Sequence, residues 1–192
     1  MPNKRFEIEL AAQRLFALNG FRATSIRDIA KAANVNSSMI SYYFRSKEQL
    51  LSGIFKRSIL ALDEVAADLS ASNMGELEKI YCLIDYYTTI ILKHGQMVYI
   101  FLQEQLLKSC PDSVSLLEEF NARQLSLFNA IINTGMAKGK FRSALPVSML
   151  FFNILGTLRY IVVEYHKSGT TRRATCFAVK RRKWLPGATM GG

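Results

Sequence analysis

The chain has 192 residues, 49% of them hydrophobic and 21% charged, enough for one large domain or two small ones around a real core. Its formal net charge of +10 sits at the ends: residues 1–50 hold eight Lys/Arg against four Asp/Glu, residues 51–167 eleven against eleven, and residues 168–192 six against none. Three scattered cysteines (Cys82, Cys110, Cys176) exclude a disulfide framework and a CxxC metal site, the opening MPNKRFEIEL lacks a signal peptide's apolar run, and MLFFNILGTLRYIVVEY, broken by Asn153, Arg159 and Glu164, is too short and polar to span a membrane.

The expected elements are all helical, because no alternating strand pattern occurs and the four prolines (2, 111, 146, 186) lie where helices can begin or end. A first helix carries Ile8, Ala11, Ala12, Leu15 and Phe16 at helical spacing and stops at Asn19-Gly20. Ser25 and Asp28 form a capping box that opens a two-turn helix, Ile26 to Ala33, burying Ile26, Ile29, Ala30 and Ala33. Asn34 suits the positive-φ position of the next turn, and Asn36 caps a third short helix that ends at Phe44. Ser46 with Gln49 starts a long fourth helix with Leu51, Ile54, Phe55, Leu62 and Leu69 on its apolar side. Beyond Asn73-Met74-Gly75, helices are expected at about 76–94, 97–109, 112–138 and 146–167.

The third helix carries the functional signal. Ile40 and Phe44, four residues apart, face inward with help from Tyr43, which leaves Ser37, Ser38, Met39, Ser41 and Tyr42 outward. Hydroxyls can bond base edges and phosphates, and a methionine can touch a thymine methyl. Two short helices joined by a tight turn are a helix-turn-helix, whose second helix enters the major groove.

The run GFRATSIRDIAKAANVNSSMISYYFRSKEQLL, residues 20–51, resembles the TetR/AcrR family of transcriptional regulators. The GMAKGKFR turn before the last helix is also similar to that family's usual junction. The resemblance implies an all-α fold: an N-terminal three-helix DNA-binding domain with the helix-turn-helix (1–46), then a larger helical effector-binding and dimerisation domain (47–167). Residues 168–192 form a basic tail, expected to be a disordered end or an extension foreign to the natural product, the alternative being a segment that adds sequence-independent affinity for DNA. It further implies that Thr24, Ser25, Arg27 and Lys47 approach phosphates, and that Tyr42 and Tyr43 match the family's aromatic pair. Ser41 and Asn34 depart from the usual tyrosine and glycine, so base preference is not transferred.

Reading an inverted-repeat operator requires a homodimer, since two recognition helices must lie about 34 Å apart. The last two helices are apolar over more than one face, and Leu125, Phe128, Ile132, Phe151, Leu155, Leu158 and Val162 are the dimer-interface candidates, with Gly156 permitting close approach. Tyr81, Tyr86, Met97, Phe101, Phe120 and Phe128 are the candidates for a pocket taking an apolar or aromatic small-molecule effector. His94 and His166, the chain's two histidines, belong to no nucleophile or metal motif, so neither an enzyme nor a cofactor nor a metal is expected. The expectation is a cytoplasmic, sequence-specific DNA-binding regulator, a repressor relieved by its effector, without a membrane partner. The rival reading is a helical interaction module or small-molecule-binding protein whose helix-turn-helix is structural.

Overall fold

The computed structural model describes residues 4–142 and 146–167, the last helix without the side chains of 161, 162 and 164–167. The basic tail and the side chain of Val162 lie outside the described residues, as does Cys176. Among the described residues all regular structure is helical: α1 (Lys4–Asn19), α2 (Ile26–Ala32), α3 (Ser37–Phe44), α4 (Lys47–Ala71), α5 (Glu76–Leu107), α6 (Pro111–Ala137) and α7 (Val147–Lys167). None of these helices is long and apolar enough to cross a membrane.

Local chemistry sets the boundaries of the short helices. The Ser25 hydroxyl accepts from the Asp28 N–H at 3.2 Å while the Asp28 carboxylate accepts from the Ser25 N–H at 3.0 Å, so both exposed amides are satisfied. Asn36 accepts from the Ser38 N–H at 3.1 Å, and Ser46 from the Gln49 N–H at 3.2 Å. Gly20 and Asn34 take positive φ, 81° and 51°, where the chain reverses between helices.

One expected break is a bend instead. The spans 76–94 and 97–109 form the single helix α5, kinked at His94 (φ −127°, ψ 32°). The glycine after it weakens the helix locally, but the apolar face continues through Met97 and Phe101, so packing carries the helix onward.

The apolar faces meet in two clusters. The first joins α1–α3 and the start of α4 to Ile100, Phe101, Cys110 and Leu117, with Phe101 set edge-on to Phe55 (4.3 Å) and Phe120 (5.2 Å). The second gathers Leu69 with Ile80, Leu83 and Tyr87 of α5, Phe128, Ile131 and Ile132 of α6, and Phe151 and Leu155 of α7. The hydrophobic core therefore runs past residue 46 and ties the short helices to α5 and α6.

Two polar ties join distant segments. Arg123 of α6 grips both Asp63 oxygens of α4 at 2.7 and 2.6 Å, and Lys138 donates to Glu76 at 2.5 Å. After α6 the chain turns through Gly139 (φ 66°), and the Phe141 ring lies over Gly135, where a Cβ would stand 2.2 Å from the ring. Gly135→Ala must push that ring out of the second cluster. Overpacking of this kind is expected to cost about 1–2 kcal/mol, seen as a lower urea midpoint with unchanged slope.

Candidate functional site

The outer side of α3 forms one part of the site. Ile40 is fully buried and Phe44 nearly so, which fixes the helix's rotation. Ser38, Ser41 and Tyr42 are then exposed, Tyr42 at 81%, while Ser37 and Met39 are half-buried. Tyr43 is partly buried against the first cluster, its ring edge-on to Tyr42 at 5.1 Å. Ser25 and Arg27 of the α2 end are exposed as well.

Two sequence candidates are turned inward. Thr24 is 1% exposed and its hydroxyl donates to the carbonyls of Gly20 (2.9 Å) and Leu15 (3.2 Å), so its side chain locks the α1–α2 turn rather than facing outward. Lys47 begins α4, where the helix dipole disfavours a cation. Its ammonium donates to the carbonyls of Phe21 and Thr24, each at 2.9 Å, and lies 4.3 Å from the Phe21 ring centroid. Sequence reading missed this because both acceptors are backbone atoms more than twenty residues away. Lys47→Ala removes the ammonium from the Thr24 carbonyl and leaves the Phe21 carbonyl only the longer bond from the Thr24 N–H (3.4 Å), and it is expected to lower stability by about 1–2 kcal/mol in urea unfolding.

Between α3 and α4, Arg45 takes φ 64° and ψ −49°, and the Ser46 N–H reaches the Phe44 carbonyl at 2.7 Å. This is a tight γ-turn of the strained, positive-φ kind. It sets the angle at which α3 leaves the body and keeps the Arg45 side chain exposed. The run Phe44-Arg45-Ser46 carries no glycine or asparagine to signal such a turn.

The other part is a cavity of about 240 Å³ among α1, α4, α5, α6 and α7. Of the effector-pocket candidates, Tyr86, Met97, Phe101 and Phe120 line it. Two do not: Tyr81 is 63% exposed on the outer side of α5, and Phe128 is buried in the second cluster against Phe151, centroids 5.6 Å apart. The periodicity of α5 puts Tyr81 and Tyr86 on different sides, which composition alone does not distinguish.

Lining residues not chosen from sequence are Phe6, Leu10 and Gln13 of α1, Arg57 of α4, Tyr87 of α5 and Arg159 of α7. Arg159, a cation in the middle of an apolar helix, was the legible signal. Burial pushes the Tyr87 hydroxyl well above the ordinary tyrosine range, with Tyr86 adding and Arg159 opposing. Burial likewise draws Arg159 below the usual arginine value, against the pull of Tyr87.

Arg57 connects the cavity to α1. Its guanidinium pairs with Glu9, a carboxylate only 1% exposed, and Arg5 lies 3.7 Å from the same side chain. Burial raises the Glu9 pKa, and Arg57 followed by Arg5 pulls it back.

The dimer-interface candidates Phe128, Ile132, Phe151 and Leu155 are buried within the chain's own second cluster, with Leu125 and Leu158 partly buried beside them. The outward apolar row of α7 is instead Met149, Phe152 and Tyr160, 61–64% exposed, with Gly156 on the same side. A helix apolar on two faces must use one for its own core, and contact with α5 and α6 decides which.

Residues 9–54 match the family model described as bacterial regulatory proteins, tetR family. The transcriptional repressor KstR2 of Mycobacterium tuberculosis is 27% identical over 167 residues, 87% of this chain and 83% of that protein. The repressor NicS of Pseudomonas putida is 28% identical over 94% of this chain and 86% of its own length. In structure, the ketosteroid transcriptional regulator KstR2 of M. tuberculosis superposes with a TM-score of 0.74 at 30% identity, covering 86% of this chain and 84% of that one. With the helix-turn-helix, the helix order of the described residues and this likeness over most of both chains, the protein belongs to the TetR family and is a helix-turn-helix transcriptional regulator, not an enzyme.

Proposed function

We propose that the protein is a homodimeric repressor that reads an inverted-repeat operator with α3 of each subunit and is released by a small, largely apolar effector. The observation that carries this reading is the outward row of Ser38, Ser41 and Tyr42 on a helix pinned from behind by Ile40 and Phe44. Ser37, Met39 and Tyr43 flank the row, while Ser25, Arg27 and the remaining ammonium donor of Lys47 meet phosphates. Thr24 acts through the turn it locks. Repression is favoured because the similar KstR2 and NicS proteins are named repressors. Such a protein works in the cytoplasm, on chromosomal DNA.

Residues 1–46 act as the reading head and 47–167 as the effector and dimer unit. Phe6, Leu10 and Gln13 of α1 belong to the cavity wall, so a ligand there touches the helix that carries the head. It alters DNA binding to the extent that it binds the two head positions unequally. A dimer would cover the Met149–Phe152–Gly156–Tyr160 row of α7, a place where the missing glycine side chain allows close approach.

Selection of bound duplexes from a random pool tests the reading. The expected product is an inverted repeat whose half-sites are spaced by whole helical turns, with affinity falling steeply as salt rises. A folded dimer that retains no duplex even at low salt would instead make the helix-turn-helix structural.

A further inference from the structure

We propose that the cavity's ligand carries a terminal carboxylate on its apolar body, seated between the Arg159 guanidinium and the Tyr87 hydroxyl. This rests on reading the cavity as an effector site.

Two polar groups of the largely apolar wall, which also holds Gln13, Arg57, Ser58, His94, Gln105 and Gln124, lack what their chemistry requires. Tyr87 is 9% exposed, and its hydroxyl is sealed from solvent with no hydrogen-bond partner among the described residues. Native proteins rarely leave such a donor unsatisfied. Arg159 gives one bond, to the neutral Asn121 Oδ1 at 3.1 Å, and no carboxylate pairs with it among the described residues. A guanidinium has five N–H donors in a planar fork that matches a carboxylate.

The rest of the lining points the same way. Among the described residues no aspartate or glutamate lines the wall, and the other cation, Arg57, is already paired with Glu9. Arg159 also borders a second hollow of about 190 Å³ that shares Gln105 and Leu155 with the first. The cation thus stands where the two spaces meet, within reach of a ligand's end. Ile90, Ile91, Val98 and Phe120 supply apolar wall for its body. A dry cavity of about 150 Å³ holds benzene, so the larger cavity suits a single-ring or medium-chain acid.

The test uses the full-length protein with octanoate, octanamide and octanoyl-coenzyme A as probes, followed by calorimetry and thermal shift. Octanoate is expected to bind at least tenfold more tightly than octanamide, which matches it in shape without the charge. Arg159→Gln should bring octanoate to the level of octanamide. Tyr87→Phe should weaken octanoate severalfold while leaving the ligand-free melting temperature equal or higher, because it removes an unsatisfied hydroxyl. A purely structural role for Tyr87 predicts a lower melting temperature with ligand preference intact, which would overturn its part in the seat.

Equal binding of acid and amide by the unaltered protein would overturn the carboxylate seat and leave the effector cavity standing, and needs no variant to fold. Binding of octanoyl-coenzyme A without octanoate would overturn the seat as well, by placing the required anion elsewhere. Should none of the three probes bind, the effector-cavity reading fails together with the seat.

Discussion

Tyr42→Ala is expected to weaken operator binding on the order of a hundredfold while leaving thermal unfolding nearly unchanged. The side chain is 81% exposed, and its one ring contact, edge-on to Tyr43 at 5.1 Å, lies on the surface. Surface substitutions away from caps and buried networks usually fall within about 0.5 kcal/mol. On a two-fold operator each dimer loses the residue twice. At roughly 1–1.5 kcal/mol for each phosphate or base contact, the pair amounts to about 2–3 kcal/mol. Gel-shift titration on the selected operator, beside differential scanning calorimetry, separates the two effects. A melting temperature that dropped with affinity would mean that Tyr42 supports the fold and does not read DNA.

The second large effect concerns the buried carboxylate. Arg57→Met strands Glu9, whose side chain is 2% exposed, leaving Arg5 at 3.7 Å as its remaining counter-charge. Breaking a buried pair from one side costs about 3–5 kcal/mol, and the half-exposed position of Arg57, where solvent screens the charge, brings the expected loss at neutral pH to roughly 2 kcal/mol.

The loss should depend on pH with a definite sign. The Glu9 pKa is raised in the folded protein by burial, so the folded state holds its proton more tightly than the unfolded chain does. The resulting stability is present below the ordinary glutamate value of 4.5 and disappears as pH rises through the raised folded value. Removing Arg57 raises the folded value further, which widens that window upward. Urea unfolding should therefore show the variant well below the unaltered protein at pH 7 and converging with it near pH 4.5. A gap of the same size at both pH values would assign the loss to packing of the arginine stem against Phe6, whose ring lies 5.6 Å from the guanidinium carbon.

The same arginine bears on regulation. Arg57 touches the cavity on one side and holds α1 by Glu9 on the other, so a ligand that moved it would alter the anchorage of the reading head. Buried charge of this kind adds little stability but is sensitive to displacement.

Much of the fold was written in local patterns. The caps of α2, α3 and α4 need residues within three positions of one another, and Asn34 at positive φ needs only its own side chain. The rotation of α3 followed from Ile40 and Phe44, because four residues make roughly one turn. The kink at His94 was harder to read, since the same His-Gly pair can end a helix or bend one, depending on whether neighbours hold the next turn.

The sequence by itself determined the helical class, the helix-turn-helix and the outward face of its second helix, because these depend on spacing and capping within a few residues. Tertiary structure alone decided that Thr24 and Lys47 turn inward onto backbone carbonyls, that Tyr81 and Phe128 stay out of the cavity while α1, Tyr87 and Arg159 enter it, and that α7 keeps Phe151 and Leu155 for its own core. In each case the deciding partner lies on another segment of the chain, and a one-dimensional pattern records which residues are apolar but not which neighbour each face will meet.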